Sequence, residues 1–318
     1  MAHLVFLLTR FFATTPSPRF KAIPQAASRK TNQNPFFCFE GKFMRQVPTL
    51  AALLFVLLTV SGSSAQTDAK KSFEITKDPQ AMMIAQSAVT AMGGAEAILR
   101  YQDSLATGRL TIHEGNTPVS FPITLRSKGT HQTRVEVQMA SGTNIRIMNQ
   151  GRAALQKPDH TAQALGLNNT VRERVDHIPL LSMLAEYQSP NISVASEGTA
   201  EVKGRSTSVI ALSFVPHGDL MQGPFFAAVT RTLFYVDQVT GMVDKVQYSN
   251  YEEGHSQQSH RTLEEYLSQY ETVDGIAVPF HQTTYANGKL QADLVLKSVT
   301  FNVGLSDSEF TLPQRGQQ

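Results

Sequence analysis

The sequence predicts a mostly β protein with helical cover, an α+β chain built on antiparallel strands. Three observations carry that expectation. Asp237–Gly241, Asp274-Gly275 and Asn287-Gly288 recur at strand-length spacing, and Asp-Gly and Asn-Gly favour hairpins because type I′ turns need positive φ at both central residues. Arg134-Val-Glu-Val-Gln138 and Asn144-Ile-Arg-Ile-Met148 alternate polar and apolar residues, the period of a half-buried strand. Helical spacing is confined to two segments, one near residue 84 and one in the middle of the chain.

The elements begin after a targeting segment. Met44-Arg45, the apolar run Leu50–Val60 and the small residues Ser61–Ala65 have the order of a secretory signal peptide, with cleavage expected between Ala65 and Gln66. The apolar run is too short to span a bilayer. Residues 1–43 hold six Lys/Arg and the single acid Glu40. Because a complete signal restarts at Met44, they read as an upstream start, with a leader as the alternative.

Removing the leader changes the electrostatics. Of 28 Lys/Arg and 26 Asp/Glu, seven and one lie in residues 1–65, leaving 21 − 25 = −4 for the mature chain. That balance argues against a nucleic-acid surface. Cys38 is the sole cysteine; with it removed, disulfides, thiol nucleophiles and thiolate metal sites are excluded. Gln66 at the new N-terminus leaves no lipobox cysteine, so a soluble product is expected.

Residues 66–77 read as a flexible lead-in to one domain spanning 78–313. Asp78-Pro79 marks a helix start, with Ile84, Ala88 and Ala91 at helical spacing and Met83, Val89 and Met92 widening the stripe. Gly93-Gly94 stops it, and residues 95–100 make a further turn or two. Strands are expected over 106–113, 119–126, 133–139, 144–148 and 153–156, then an apolar helical insert over 169–187. Strands resume at 206–215, 230–236, 243–251, 261–270, 276–285 and 290–301. Residues 216–226 read as a long loop, and 305–313 as an extended tail with Phe310 and Leu312 tucked under the last strand.

Tyr235-Val-Asp237…Thr240-Gly241, Asp274-Gly-Ile-Ala-Val-Pro279 and this order of elements resemble the LolA-like superfamily of periplasmic carriers over residues 78–313. The resemblance implies a strongly curved antiparallel sheet, a half-barrel closed on its concave side by helices, whose apolar cavity receives acyl chains. It would place Phe214, Leu233, Tyr235, Val246 and Tyr248 on the half-barrel face and Ile178, Leu181 and Leu184 in the lid. The arginine on which the carrier's opening depends has three possible positions, Arg109, Arg126 and Arg134.

Motif chemistry is sparse. The sequence contains no nucleophile elbow, Walker loop, His-Glu-x-x-His or dinucleotide fingerprint, each of which has a fixed spacing. His255 and His260 beside Glu252 and Glu253 read as a solvated loop, since a five-residue gap fixes no metal geometry. His281 is expected on a wet strand face. Glu264 and Glu265 fall on opposite strand faces, and Asp237 and Asp274 read as turn formers. Met221, Phe225 and Phe226 are apolar residues in a loop, either a cavity mouth or a core anchor.

The expected function is holding, not transforming: a periplasmic or secreted, non-enzymatic carrier without cofactor or metal. Its partners would be a lipid or the acyl chains of a lipoprotein, with an envelope protein as a further possible partner and no nucleic acid. The alternative is an envelope structural or protein-interaction module with a filled core, and third an enzyme whose mechanism no motif betrays.

Overall fold

The computed structural model describes residues 75–113, 117–165, 182–215, 223–251 and 260–313. The signal segment, the Ala65/Gln66 site, Ile178, Leu181, Met221 and His255 lie outside these residues. Asp78 caps helix α1 (Pro79–Ala91), its side chain accepting a hydrogen bond from Ala81 N at 2.8 Å. Pro79 sits at the first helical position, where its missing N–H leaves no bond unmade.

The buried stripe of α1 is Ala81, Ala85, Ala88 and Val89, with Met92 just beyond. The helix is thus rotated from the expected stripe: Met83 is 65% exposed, and Ile84 is only half buried. Three alanines at the contact let the helix backbone approach the strands closely. Gly93 and Gly94 end the helix at φ +114° and +91°, before α2 (Ala95–Arg100).

One meander follows: β1 (Asp103–Ile112), β2 (Val119–Lys128), β3 (Gln132–Met139), β4 (Gly142–Asn149), β5 (Arg152–Gln156) and β6 (Ala162–Leu165). After α3 (Ser182–Ala185) come β7 (Ile192–Val202) and β8 (Arg205–Phe214). Helix α4 (Gly223–Thr230) precedes β9 (Thr232–Asp237), β10 (Val243–Tyr251), β11 (His260–Val273), β12 (Ile276–Ala286) and β13 (Lys289–Phe301).

Three elements differ from the sequence expectation. Strand β6 has only four residues. Strand β7 hides its period because its pairing with β8 shifts between Ser196 and Thr199, a bulge that breaks alternation. Helix α4 replaces part of the expected loop: Gly223-Pro224 reads as a turn, yet Pro is tolerated in a first helical turn.

All thirteen strands form one antiparallel sheet in the order β6-β5-β4-β3-β2-β1-β13-β12-β11-β10-β9-β8-β7. The first and last strands pair, joining two meanders into two wings. The sheet is a curved, unclosed half-barrel, as expected when an open twisted sheet exceeds about ten strands. Its edges, β6 and β7, are consecutive in the chain.

Opposed residues in an antiparallel pair share a face. One row, Ile112–Ala292–Thr284–Glu265–Val246–Phe234–Ile210, crosses seven strands. Its apolar members join Ala81, Ala85, Met92 and Leu184 in the main core. This is the inner face.

The lead-in is tied down at its end. Thr76 O accepts from Val194 N at 2.8 Å, and Asp78 N donates to Val194 O at 2.9 Å, covering part of the β7 edge. Lys77 Nζ donates to Tyr187 O and Ser189 O at 2.6 and 2.8 Å.

The tail departs from its expected place. Ser306 and Glu309 form a capping box on a 3-10 turn, Asp307–Phe310, which packs against β3 and β4 rather than under the last strand. Phe310 is fully buried there.

Candidate functional site

A cavity of about 830 Å³ opens between the two wings. On one side stand the β2–β3 turn (Lys128, Gly129, His131) and the β4–β5 turn (Gln150, Gly151), with Met148 behind them; on the other stand Phe214 and Phe226. These two sides are far apart in strand order, so only the curvature of the sheet brings them together.

Thr230 positions the aromatic side. Its hydroxyl accepts from Phe214 N at 2.8 Å and lies 2.6 Å from Phe226 O, to which it donates. One side chain therefore ties the end of β8 to the first turns of α4. Phe225 stacks edge-on against Phe226 with centroids 5.6 Å apart.

Among the other residues expected at the ligand face, Val246 and Tyr248 lie on the inner face and Leu184 packs against it, all buried in the main core. Leu233 and Tyr235 lie on the opposite face, with Val202, Val209 and Tyr266. Phe234 and Val236 are the inward residues of β9; a strand this apolar on both faces does not announce its register. Outside, Tyr235 donates to Gln247 Oε1 at 2.9 Å, and Lys245 Nζ stands 3.9 Å from the Tyr235 ring centre. Burial works against the Lys245 ammonium, but Glu264 at 2.9 Å outweighs it and holds its pKa above the usual lysine range.

Two ionisable residues are buried on the inner face, a direction the sequence reading did not assign to either. Glu265, wholly buried, accepts from Tyr248 Oη at 2.6 Å and from Gln282 Nε2 at 2.5 Å. Arg146 is 1% exposed and pairs directly with the inward Val135 and with Leu155. In β4 the polar residues Asn144 and Arg146 face inward, while Ile147 is buried on the outside. The alternation was visible in the sequence; its direction was not.

The three arginines suggested by the resemblance all face outward. Arg109 is exposed. Arg126 pairs with Glu136 at 3.0 Å and with Glu309 at 3.1 Å, and Arg134 pairs with Glu136 at 2.6 Å. Burial opposes the Glu136 charge, yet the two guanidinium groups hold its carboxyl below the usual range.

The turn aspartates behave as turn formers. Asp237 is buried and accepts from Thr240 N at 2.7 Å and Val239 N at 2.9 Å. These bonds, that from Thr240 above all, hold its carboxyl below the usual range. Asp274 and Gly275 both take positive φ, +48° and +85°, as a type I′ turn requires. Burial raises the pKa of neighbouring Asp244, whose ion-pair partner is Arg205.

His281 sits on the outer face in a cross-strand ladder. Its Nδ1 is 3.4 Å from Ser268 Oγ and its Nε2 is 3.3 Å from Asp293 Oδ1, while His113 Nε2 reaches Asp293 Oδ2 at 2.7 Å. All three contacts of His281, the third to Thr283 Oγ1 at 3.5 Å, are long for a proton relay, and His281, His113 and Asp293 are not among the described residues lining the cavity. Burial opposes the Asp293 charge, but bonds from Thr283, His113 and His281 hold its pKa down. Among the described residues no group of three or more His, Cys, Asp or Glu is placed to hold a metal ion. No helix among them is long and apolar enough to cross a membrane.

No model of a known protein family and no curated protein matches the sequence. Among solved structures the chain is similar to a LolA superfamily protein from Nitrosomonas europaea, with 12% identity, 73% of this chain and 97% of that one covered, and a TM-score of 0.48. A DUF1329 family protein from Desulfovibrio piger is similar at 14% identity, covering 74% and 98% of the two chains at a TM-score of 0.48. Lipoprotein LppX from Mycobacterium tuberculosis is similar at 13% identity, covering 72% and 99% at a TM-score of 0.27.

Proposed function

We propose that the protein is an exported, non-enzymatic binding protein that shelters an apolar ligand, a lipid or the acyl chains of a lipoprotein. The signal segment at residues 44–65 would deliver it to the periplasm or beyond, and residues 78–313 would act as one binding domain. The observation that carries this reading is the cavity of about 830 Å³ between the wings, with Met148, Phe214 and Phe226 on its walls. That volume falls within the roughly 300–1,000 Å³ of small-molecule sites. Phe225, edge-on against Phe226, would extend that apolar wall. Each methylene buried is worth about 0.8 kcal/mol, so an acyl chain binds without a dedicated polar motif. An interaction module with a filled core is disfavoured by the same open space.

Native mass spectrometry of the mature protein purified from its host envelope tests this. A co-purifying lipid, displaced on delipidation and regained on titration, is the expected result. A protein that arrives empty and binds neither lipid nor acylated protein overturns it.

A further inference from the structure

Helix α4 owes little to its own residues. Gly223-Pro-Phe-Phe-Ala-Ala-Val-Thr230 holds two phenylalanines, a valine and a threonine, types enriched in strands, and so short a helix does not persist unaided in water. The strand pairing points the same way. Strands β8 and β9 pair as far as Leu212↔Thr232, and one more step of that register sets Thr230 opposite Phe214. Continued, the ladder would take residue 230 into β9; the chain is helical there instead.

The Thr230 side chain takes over what the ladder would have supplied. Phe214 turns both backbone groups to this position, as in a hydrogen-bonded antiparallel pair: its N–H donates to Thr230 Oγ1 at 2.8 Å, and its O lies 3.1 Å from the same oxygen. The hydroxyl has one proton and gives it in the shorter contact, to Phe226 O at 2.6 Å, one helical turn back. This buried hydroxyl thus closes the end of β8 and holds α4 wound. Phe214 has the inward parity of Ile210 and Leu212, and both phenylalanines tied by the hydroxyl line the cavity.

We propose that Thr230 is a positioning residue of the cavity: its hydroxyl keeps residue 230 out of the β8–β9 ladder, and so keeps α4 wound with Phe226 against the ligand. Thr230 is not among the described residues lining the cavity, so it acts through Phe226. A ligand that packs on Phe226 in turn favours the wound helix, which couples binding to the order of α4. This rests on the sheltering role proposed above and names the residue that sets its aromatic wall.

A double-mutant cycle tests it, read by titration of the mature protein with oleate and with dioleoyl phosphatidylglycerol in detergent. Thr230→Val keeps the volume and removes the hydroxyl, and is expected to weaken binding on the order of fivefold, the fold-change of one net hydrogen bond. Thr230→Ser keeps the hydroxyl and binds within about twofold of the wild type. In a Phe226→Ala background, Thr230→Val adds no further loss. Urea denaturation checks that each variant is folded. Amide exchange on the wild type reads the same coupling without any variant: exchange over residues 223–230 is expected to slow on adding ligand, by more than exchange over α1. A Thr230→Val protein that binds like the wild type, a Thr230→Ser protein as weak as Thr230→Val, an undiminished loss in the Phe226→Ala background, or exchange over α4 that ignores the ligand overturns the positioning role while sheltering stands. A wild type that binds neither probe removes the sheltering role itself and the assignment with it.

Discussion

The two wings of the sheet solve one burial problem in opposite ways. In the second wing, β7–β13, helices cover the inner face: α1 packs on β7 and β8, and the ends of two hairpins close on its C-terminus. A Cβ on Gly241 would stand 3.1 Å from Ala91 Cβ, and one on Gly93 would stand 2.4 Å from Gly275 O. In the first wing, β1–β6, the C-terminal tail covers the outer face of β3 and β4, held by Arg126, Arg134 and Lys128. A strand with cover outside can turn a polar residue inward, as β4 does with Arg146. Alternation therefore reports that a strand has two faces; the cover decides which of them is dry.

The largest test of this contrast is Phe310→Ala. Removing a fully buried phenylalanine is expected to destabilise by about 3–5 kcal/mol, read by urea denaturation. A loss below about 1 kcal/mol would show that the tail does not cover the first wing as described.

The helix clamp of the second wing is tested by a pair. Gly93→Ala combines a positive-φ position with a contact against Gly275 O and is expected to destabilise by about 3 kcal/mol. Gly94→Ala has positive φ but open space around the new methyl, and is expected to cost about 1 kcal/mol. Equal effects in the two variants would break the clamp.

Tyr248→Phe removes one donor to the buried Glu265 carboxylate and is expected to destabilise by about 2 kcal/mol. Thermal melts that coincide with the wild type would mean that the carboxylate finds another donor, and that the inner face is wetter than its burial suggests.

The smallest effect is expected at the β9–β10 turn. Asp237→Asn should destabilise by about 1 kcal/mol at neutral pH because the turn amides favour the charged form. With the folded pKa depressed, the unfolded chain binds the proton better. The stabilisation is then full above the unfolded value near 4, and is lost as pH falls through the lower folded value. Melting curves at pH 7 and pH 3 should differ less for Asp237→Asn than for the wild type; an equal difference would remove the turn from the acid response.

Much of the sheet was legible in the residues. Strand β10 begins and ends where the sequence reading places it, Val243 to Tyr251, and Asp274-Gly275 and Asn287-Gly288 turn at positive φ. These are local matters of a period and a permitted dihedral. Strand β7 was missed because its bulge breaks the period, and α4 because Gly-Pro resembles a turn. The candidate site was only half legible. Phe214 and Phe226 were singled out and line the cavity, but Lys128, His131 and Gln150 lie in turns whose composition signals a turn and nothing about what the turn faces.

The sequence by itself determined the antiparallel meanders, the hairpin ends and the cap on α1, because each follows from interactions within a few residues. Only the tertiary structure decided that the first and last strands pair, that Arg146 and Glu265 point inward while Tyr235 points out, and that turns of one wing meet Phe214 and Phe226 of the other. Those outcomes depend on which surface a distant segment covers and on the curvature accumulated over thirteen strands, and no local pattern of residues encodes either.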